Sequence, residues 1–287
     1  MRKFVSACEA LAILDNLRVQ GSGFRVARFK NNSRTSKAIL KPGTRNPEPL
    51  KQMFTTLSAV LPAYNEEENI ETAVNKLLEV LKTLPLTDYE VIVVNDGSVD
   101  RTGEIADTLA KANPRVRVFH HRPNKGYAEA LKTGFTSARF DMVFYTDSDN
   151  QFDVREIKNF LKPLEDYDIV CGFRIYRFDP LTRLFLSWGF NLLVRIIFRI
   201  RVRDIDCAFK LFRRSVFDKV TIESKRFFVD AEVLAKARYH KLGMTEIGVR
   251  HYPRTAGQST VRPSHILYTL QELANIWVNI HFKSKRK

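Results

Sequence analysis

From Thr55 onward, short apolar runs alternate with segments of helical spacing, and that alternation leaves few architectures open. Leu57–Leu61, Tyr89–Val94, Val116–Phe119 and Met142–Thr146 are strand-like, and the β-branched run at Tyr89–Val94 fits a strand buried on both faces. Between them, Glu66–Lys82 places Ile70, Val74, Leu77, Leu78 and Leu81 at helical spacing, and Thr102–Ala112 and Gly126–Ala138 are predicted helices. Val154–Asp166 and then Ile169–Cys171 extend the series. Such a chain builds βαβ units: an α/β, Rossmann-like fold with a mostly parallel central sheet and helices on both faces. Ligands of these sheets bind beyond the carboxyl ends of the strands. Three polar segments fall there: Pro62–Glu66, Asn95–Ser98 and Asp147–Gln151.

The third segment carries the most specific chemistry. Asp147 and Asp149 stand two apart on extended chain, so both carboxylates project the same way and can converge on one cation. Gln151 offers a neutral carbonyl oxygen two residues further on. Oxygen-only ligands suit Mg2+ or Mn2+, hard ions that share their shell with substrate phosphates. An isolated Asp-x-Asp is equally at home in a solvated turn. Asn95-Asp-Gly-Ser98 by itself is good turn chemistry, and Asn65–Glu68 can be acids placed favourably at a helix N-terminus.

Composition narrows the partners. The 287 residues carry 47 Lys+Arg against 32 Asp+Glu, a net charge of +15, and the first 54 residues alone hold eleven bases and three acids. That balance implies an anionic partner such as nucleic acid, a membrane surface or a nucleotide. Pro42, Gly43, Pro47 and Pro49 read as a linker, so residues 1–54 are predicted to be a flexible basic extension. That extension weakly resembles a transit sequence, and Met53 is a possible alternative start. Residues 55–262 form the predicted catalytic domain, and residues 263–287 an amphipathic helix with a basic tail. Cys8, Cys171 and Cys207 show no metal-ligand spacing and are expected to be reduced thiols. No stretch offers eighteen uncharged apolar residues.

Together, Leu61-Pro-Ala-Tyr-Asn-Glu66, Val93–Thr102, Asn124-Lys-Gly-Tyr-Ala-Glu-Ala-Leu131 and the Asp147/Asp149 pair resemble glycosyltransferase family 2, with the GT-A fold, over roughly Thr55 to Val261. The resemblance implies that Pro62, Tyr64, Glu66, Asp96 and Lys125 hold the nucleotide of a sugar-nucleotide donor, with Asp147, Asp149 and Gln151 on the metal. Later segments are similar to the polyprenyl-phosphate branch of the family, the dolichol-phosphate mannose synthases and dolichyl-phosphate glucosyltransferases. There the resemblance implies that Arg174 faces the phosphates, that Arg183 and Ser187 seat the lipid phosphate, and that Arg254 lies in a loop closing over the diphosphate. Asp204–Phe212 is similar to the glucosyltransferase version of its motif, except that Ala208 stands where Gly is usual. The implied reaction is metal-dependent inverting transfer of a hexose from a UDP-glucose or GDP-mannose type donor to a polyprenyl phosphate. A hydroxyl acceptor on a soluble glycan would instead need a base, and Asp204, Asp206, Asp230 and Glu232 are the candidates.

Arg183, Ser187, Asn191, Arg195 and Arg199 recur every four residues within an otherwise apolar stretch, which predicts a helix with one slowly drifting polar, basic stripe, suited to lie at a membrane interface. His265–Phe282 repeats the pattern, with Tyr268, Glu272, Asn275 and Asn279 opposite Leu270, Ile276, Trp277 and Ile280. The expected location is therefore cytoplasmic and peripheral, by these helices, a partner membrane subunit or a homo-oligomer. Other classes fit less well. A nucleotidyltransferase calls for a Gly-rich phosphate loop after the first strand, where this chain has Pro-Ala-Tyr-Asn-Glu. Nucleic-acid binding is not expected, because it would account for the charge but not for the ordered acidic motifs.

Overall fold

The computed structural model describes residues 54–175, 181–224, 228–253 and 273–280. The predicted alternation is present through its first half: β1 (Thr56–Ala63), α1 (Ile70–Thr83), β2 (Asp88–Asn95), α2 (Thr102–Ala112), β3 (Val116–His120), α3 (Tyr127–Ser137) and β4 (Met142–Thr146). Beyond it come α4 (Lys158–Leu161), β5 (Ile169–Arg174), α5 (Leu181–Phe198), β6 (Phe209–Arg213), α6 (Val216–Lys219), α7 (Val229–Tyr239) and β7 (Met244–Val249). The segment Val154–Asp166 is not one helix. Two 3-10 turns flank the single turn of α4, because Pro163 has no N–H to give and its ring crowds the preceding turn.

The sheet has seven strands in the order β3-β2-β1-β4-β6-β5-β7. All neighbouring pairs are parallel except those made by β6, which runs antiparallel between β4 and β5. The architecture is the expected mostly parallel α/β sheet, with one strand reversed that helix–strand alternation does not announce.

Alternate residues of each strand feed two separate cores. Val60, Ile92, Val94, Val143 and Tyr145 pack with α3, α5 and α7 on one face. Leu57, Ala59, Leu61, Val91, Val93 and Phe144 pack with α1 and Phe160 on the other. With both faces covered, the central strands have no solvent side, and hydrophobic burial on both faces holds the sheet.

Register brings every chemically interesting segment to one edge. Ala63 pairs with Asn95 and Thr146 with Phe209, so β1, β2 and β4 end where the reversed β6 begins. Arg174 ends β5 opposite Val249 at the end of β7, on the same side. Reversing β6 is what delivers the Asp204–Ala208 segment to the carboxyl edge rather than to the opposite one.

Candidate active site

The loops after β1 and β2 are zipped together by their own polar side chains. Asn65 N–H donates to Ser98 Oγ (3.0 Å) and Val99 N–H returns to Asn65 Oδ1 (2.9 Å). Glu66 N–H donates to Thr102 Oγ1 (2.8 Å), Glu67 N–H to Asp100 Oδ2 (3.2 Å), and Arg101 N–H to Glu67 Oε2 (3.0 Å). Backbone donors otherwise left open at the starts of α1 and α2 are thereby satisfied across the loops rather than within each helix. Glu66 also accepts from Asn69 Nδ2 (2.7 Å). Tyr64 stands 41% exposed beside them, a ring face open to a ligand.

Asp96 is buried, and its carboxylate serves the fold first. Its Oδ1 accepts from His121 Nδ1 (2.6 Å) and Lys125 N–H (2.9 Å), and its Oδ2 from Gly126 N–H (2.8 Å). Asn124 Nδ2 donates to its backbone carbonyl (2.6 Å). Asp96 thus pins the Asn124–Gly126 loop against β2, leaving little of the carboxylate for a base or ribose. Gly97 is required here: at φ +70°, an added Cβ would lie 2.5 Å from Asn124 N. His121 is buried and bridges Asp96 to Thr133 Oγ1 (2.9 Å).

β4 hands its two carboxylates to a tight turn. Asp149, 6% exposed, accepts from Gln151 N–H (3.1 Å), and Asn150 adopts the left-handed conformation (φ 58°) that asparagine tolerates. Ser148 Oγ donates to Pro62 O (2.9 Å) and Asn150 Nδ2 to Asn69 O (3.0 Å), locking the turn onto the β1 loop. Asp147 Oδ1 accepts from the Tyr127 hydroxyl (3.1 Å). Gln151 is clamped to the segment after β7. Its Nε2 donates to Tyr252 O (2.9 Å) and its carbonyl accepts from Tyr252 N–H (2.8 Å). With the amide nitrogen so used, Oε1 is the side-chain atom left for a cation. Among the described residues no group of three or more His, Cys, Asp and Glu forms a metal cage. The donor set of Asp147, Asp149 and Gln151 fits an ion completed by diphosphate oxygens rather than one enclosed by protein.

Across the edge, Asp204 and Arg174 bind each other. Arg174 Nε and Nη2 donate to the two Asp204 carboxylate oxygens, 2.7 Å each. Burial works against the Arg174 charge, but this forked pair more than restores it and holds the guanidinium above its ordinary value. Asp204 thus takes two of the five guanidinium N–H donors of Arg174 and fixes its orientation, leaving the others to face a phosphate as the family resemblance implies.

The other carboxylates proposed as bases separate cleanly. Glu232 accepts from Glu223 N–H and Ser224 N–H and pairs with Lys236 at 2.7 Å, which makes it a structural cap. Asp230 accepts from Lys210 Nζ (2.7 Å) and the Tyr145 hydroxyl. Lys210 is fully buried and also holds Ile205 O (2.9 Å) and Cys207 O (2.6 Å). Burial opposes its charge, yet Asp230 keeps it protonated and above the usual lysine value. Asp206 alone of the four makes no hydrogen bond to a described residue. Burial, then the charges of Asp230 and Asp204, push its carboxyl up from 3.8 to about 7.

A raised carboxyl has a definite consequence for stability. Between pH 4 and 7 the folded chain holds a proton on Asp206 that the unfolded chain has lost, so this group's stabilisation falls as pH rises through that window. Asp206→Asn is expected to match the wild-type melting temperature near pH 4 and to exceed it at pH 8. The ceiling is about 4 kcal/mol, lowered by the water that reaches this partly exposed group. Melting curves that separate at pH 4 instead would contradict the assignment.

Arg254 lies outside the described residues, as does the side chain of Arg183 on the first turn of α5. Ser187 sits one turn further on, and Asn191 Nδ2 donates to its carbonyl (2.8 Å). The predicted polar stripe drifts around the helix. Asn191 is buried and accepts from Ile205 N–H (2.7 Å), while Trp188 and Ile196 are 61% and 66% exposed beside Arg195 and Arg199. Four residues turn a helix by about 400°, so each step drifts about 40° and the series winds from one side of the helix to another. In residues 273–280, Ile276 and Ile280 are buried with Leu273, but Trp277 is exposed rather than on their side.

This arrangement has known counterparts. A family model described as Glycosyl transferase family 2 matches residues 58–221. The chain belongs to glycosyl transferase family 2. Glycosyltransferase AglD of Haloferax volcanii is 34% identical over 224 residues, covering 75% of this chain and 36% of that protein. Human dolichyl-phosphate beta-glucosyltransferase is 31% identical over 214 residues, 67% of this chain and 66% of that one. The dodecaprenyl-phosphate galacturonate synthase of Rhizobium johnstonii is 27% identical, covering 80% and 68%. The chain thus spans about a third of AglD and slightly under two thirds of the human protein. Among solved structures, glucosyl-3-phosphoglycerate synthase from Mycobacterium tuberculosis, in complex with Mn2+, UDP and phosphoglyceric acid, superposes with a TM-score of 0.59 at 20% identity. The match covers 79% of this chain and 78% of that one, and the shared fold is GT-A.

Proposed function

We propose that this chain transfers a hexose, with inversion, from a nucleoside-diphosphate donor to a polyprenyl phosphate at a membrane surface. The observation that carries the reading is one edge of the sheet where two kinds of group meet. Asp147 and Asp149 leave β4 there, Arg174 ends β5, and its partner Asp204 and Asp206 stand in the loop that enters β6. Relatives named for dolichyl-phosphate and dodecaprenyl-phosphate products supply the acceptor class.

In this reading Tyr64 offers its exposed ring to the base, and the Asn124–Gly126 loop held by Asp96 lines the nucleotide. Asp147, Asp149 and Gln151 Oε1 would hold Mg2+ or Mn2+, which when bound offsets the negative charge on the leaving diphosphate. The remaining Arg174 donors and Arg254 add positive field there. A lipid phosphate is already an anion at neutral pH, so the acceptor needs a cationic seat rather than a base; Arg183 and Ser187 are assigned that role. The test is incubation with radiolabelled UDP-glucose or GDP-mannose, Mn2+ and polyprenyl phosphate, followed by solvent extraction. Label confined to a soluble glycan would overturn the lipid acceptor.

Asp206 favours a second reading. A partly exposed carboxyl tuned to about 7 is suited to take a proton from a hydroxyl acceptor. In that case Asp206→Asn would abolish transfer, whereas for a phosphate acceptor transfer survives.

No helix among the described residues is long and apolar enough to cross a membrane. The exposed Trp188, Leu192 and Ile196 line, flanked by Arg195 and Arg199, suits α5 to lie in an anionic lipid surface. Trp188→Ser/Ile196→Ser is expected to lower cosedimentation with anionic phospholipid vesicles at least about tenfold, since two buried apolar side chains contribute roughly 1.5–3 kcal/mol each. Unchanged pelleting would remove α5 as the contact.

A further inference from the structure

The partner of the Gln151 side chain lies 101 residues further along the chain. Gln151 Nε2 donates to Tyr252 O (2.9 Å), and Tyr252 N–H donates to Gln151 O (2.8 Å). The adjoining residues, Phe152 and His251, form an antiparallel bridge, their rings in edge contact at 5.0 Å. Residues 151–152 and 251–252 thus make a short clamp just beyond β7. A carbonyl oxygen only accepts, so Tyr252 O draws the amide nitrogen of Gln151 toward itself and turns Oε1 the other way. The chemistry of the partner decides which atom Gln151 can offer a cation.

Two paired residues are a weak hold by themselves, and the clamp is closed by charge. Arg250 donates from its N–H (3.1 Å) and Nε (2.5 Å) to the two carboxylate oxygens of Glu156, and its Nη2 reaches Asp153 Oδ2 at 3.5 Å. Asp153 is in turn held by Arg155 Nε and Nη2, 2.8 Å each. Glu156 is buried, and among the described residues both of its hydrogen bonds come from Arg250. A buried carboxylate has to be answered, so this pair fixes where the chain passes residue 250. His251 and Tyr252 follow directly. Neither Arg250 nor Glu156 has a place in the transfer described above.

We propose that Arg250 is a positioning residue for the metal turn: anchored on Glu156, it holds residues 250–252 so that Tyr252 O keeps Gln151 Oε1 toward the cation. This role rests on the reading that Asp147, Asp149 and Gln151 meet a metal ion. Partners that orient a metal ligand commonly change affinity roughly ten- to a hundredfold. Arg250 acts one step further out, so its effect is smaller. Its direction is diagnostic. Arg250 is itself a cation, and its loss acting through charge alone would tighten Mn2+ binding, whereas loss of a positioning contact weakens it.

The test uses the full chain with Arg250→Met, Gln151→Ala and the double variant, reading Mn2+ affinity by electron paramagnetic resonance in the presence of UDP or GDP. Arg250→Met is expected to weaken Mn2+ about three- to tenfold, roughly 0.7–1.4 kcal/mol. Gln151→Ala should weaken it at least as much. The double variant should be no weaker than Gln151→Ala alone, because Arg250 then has no ligand to aim. Unchanged or tighter binding in Arg250→Met overturns the role, as do wild-type affinity in Gln151→Ala and losses that simply add. If Arg250→Met does not fold, Arg250→Gln, which keeps a neutral donor toward Glu156, decides by the same direction of change. Wild-type protein that takes up no Mn2+ with either nucleotide removes the metal reading and this inference together; wild-type uptake with unaltered Arg250 variants removes the inference only.

Discussion

Lys210→Met is expected to lower stability by about 3–5 kcal/mol, the largest single effect in the domain, because it strands the Asp230 carboxylate in a dry core. For a domain of this size that corresponds to a melting temperature roughly 6–20 °C lower. The loss comes from the charge left behind, so it has a signature. It shrinks in Lys210→Met/Asp230→Asn, where neither charge remains, and Tyr145 still finds a partner in the amide. A double variant as unstable as the single would show that Lys210 acts by packing its stem rather than by answering Asp230. Thermal melts at pH 7.5 on the three proteins are sufficient.

Asp149→Ala is the second large effect, and it lies in function rather than stability. The side chain accepts from Gln151 N–H (3.1 Å), so truncation removes at least this charge-assisted hydrogen bond from a turn that Ser148 and Asn150 still anchor. The cost to folding is about 1–2 kcal/mol. Transfer should fall by at least about a thousandfold, equivalent to roughly 4 kcal/mol of barrier, if the carboxylate helps hold the ion on the diphosphate. Asp149→Asn separates charge from size: it keeps a carbonyl oxygen and the turn bond but gives up the negative charge. Raising Mn2+ concentration should recover part of its activity and little of that of the alanine variant. Wild-type turnover in Asp149→Ala would remove the metal assignment.

Much of the fold was legible because its first half is local. From β1 to β4 each strand follows its own helix, and apolar spacing alone marks both. The second half is not local. β6 reads as the continuation of a motif, and nothing in the periodicity of Phe209-Lys-Leu-Phe-Arg213 states its direction. Lys210 shows the same limit in one residue. Alternation would place it on a wet face, but the sheet has none, and the group that makes its burial tolerable lies on α7.

The site was legible as a set of positions rather than as a set of roles. Asp147, Asp149, Tyr64 and Asp96 come to one edge as their motifs imply. Asp96 and Asp204, however, are engaged by His121, by loop N–H groups and by Arg174, partners that are remote in sequence or carried on the backbone. The drift of the α5 stripe was legible too, since a spacing of four is laid on a helix of 3.6.

The reversed strand also governs how the molecule can be made. While the chain emerges from the ribosome, β1 to β4 can assemble as a contiguous unit, but β4 then waits as a bare edge until Phe209–Arg213 arrives. Met142-Val-Phe-Tyr-Thr146 carries no charge, proline or glycine, the composition that pairs promiscuously with other extended chains. A ribosome stall or a truncation before residue 209 therefore leaves a nascent chain that is half folded and adhesive. Completion of the Asp204–Ala208 turn and protection of that edge are one event in synthesis.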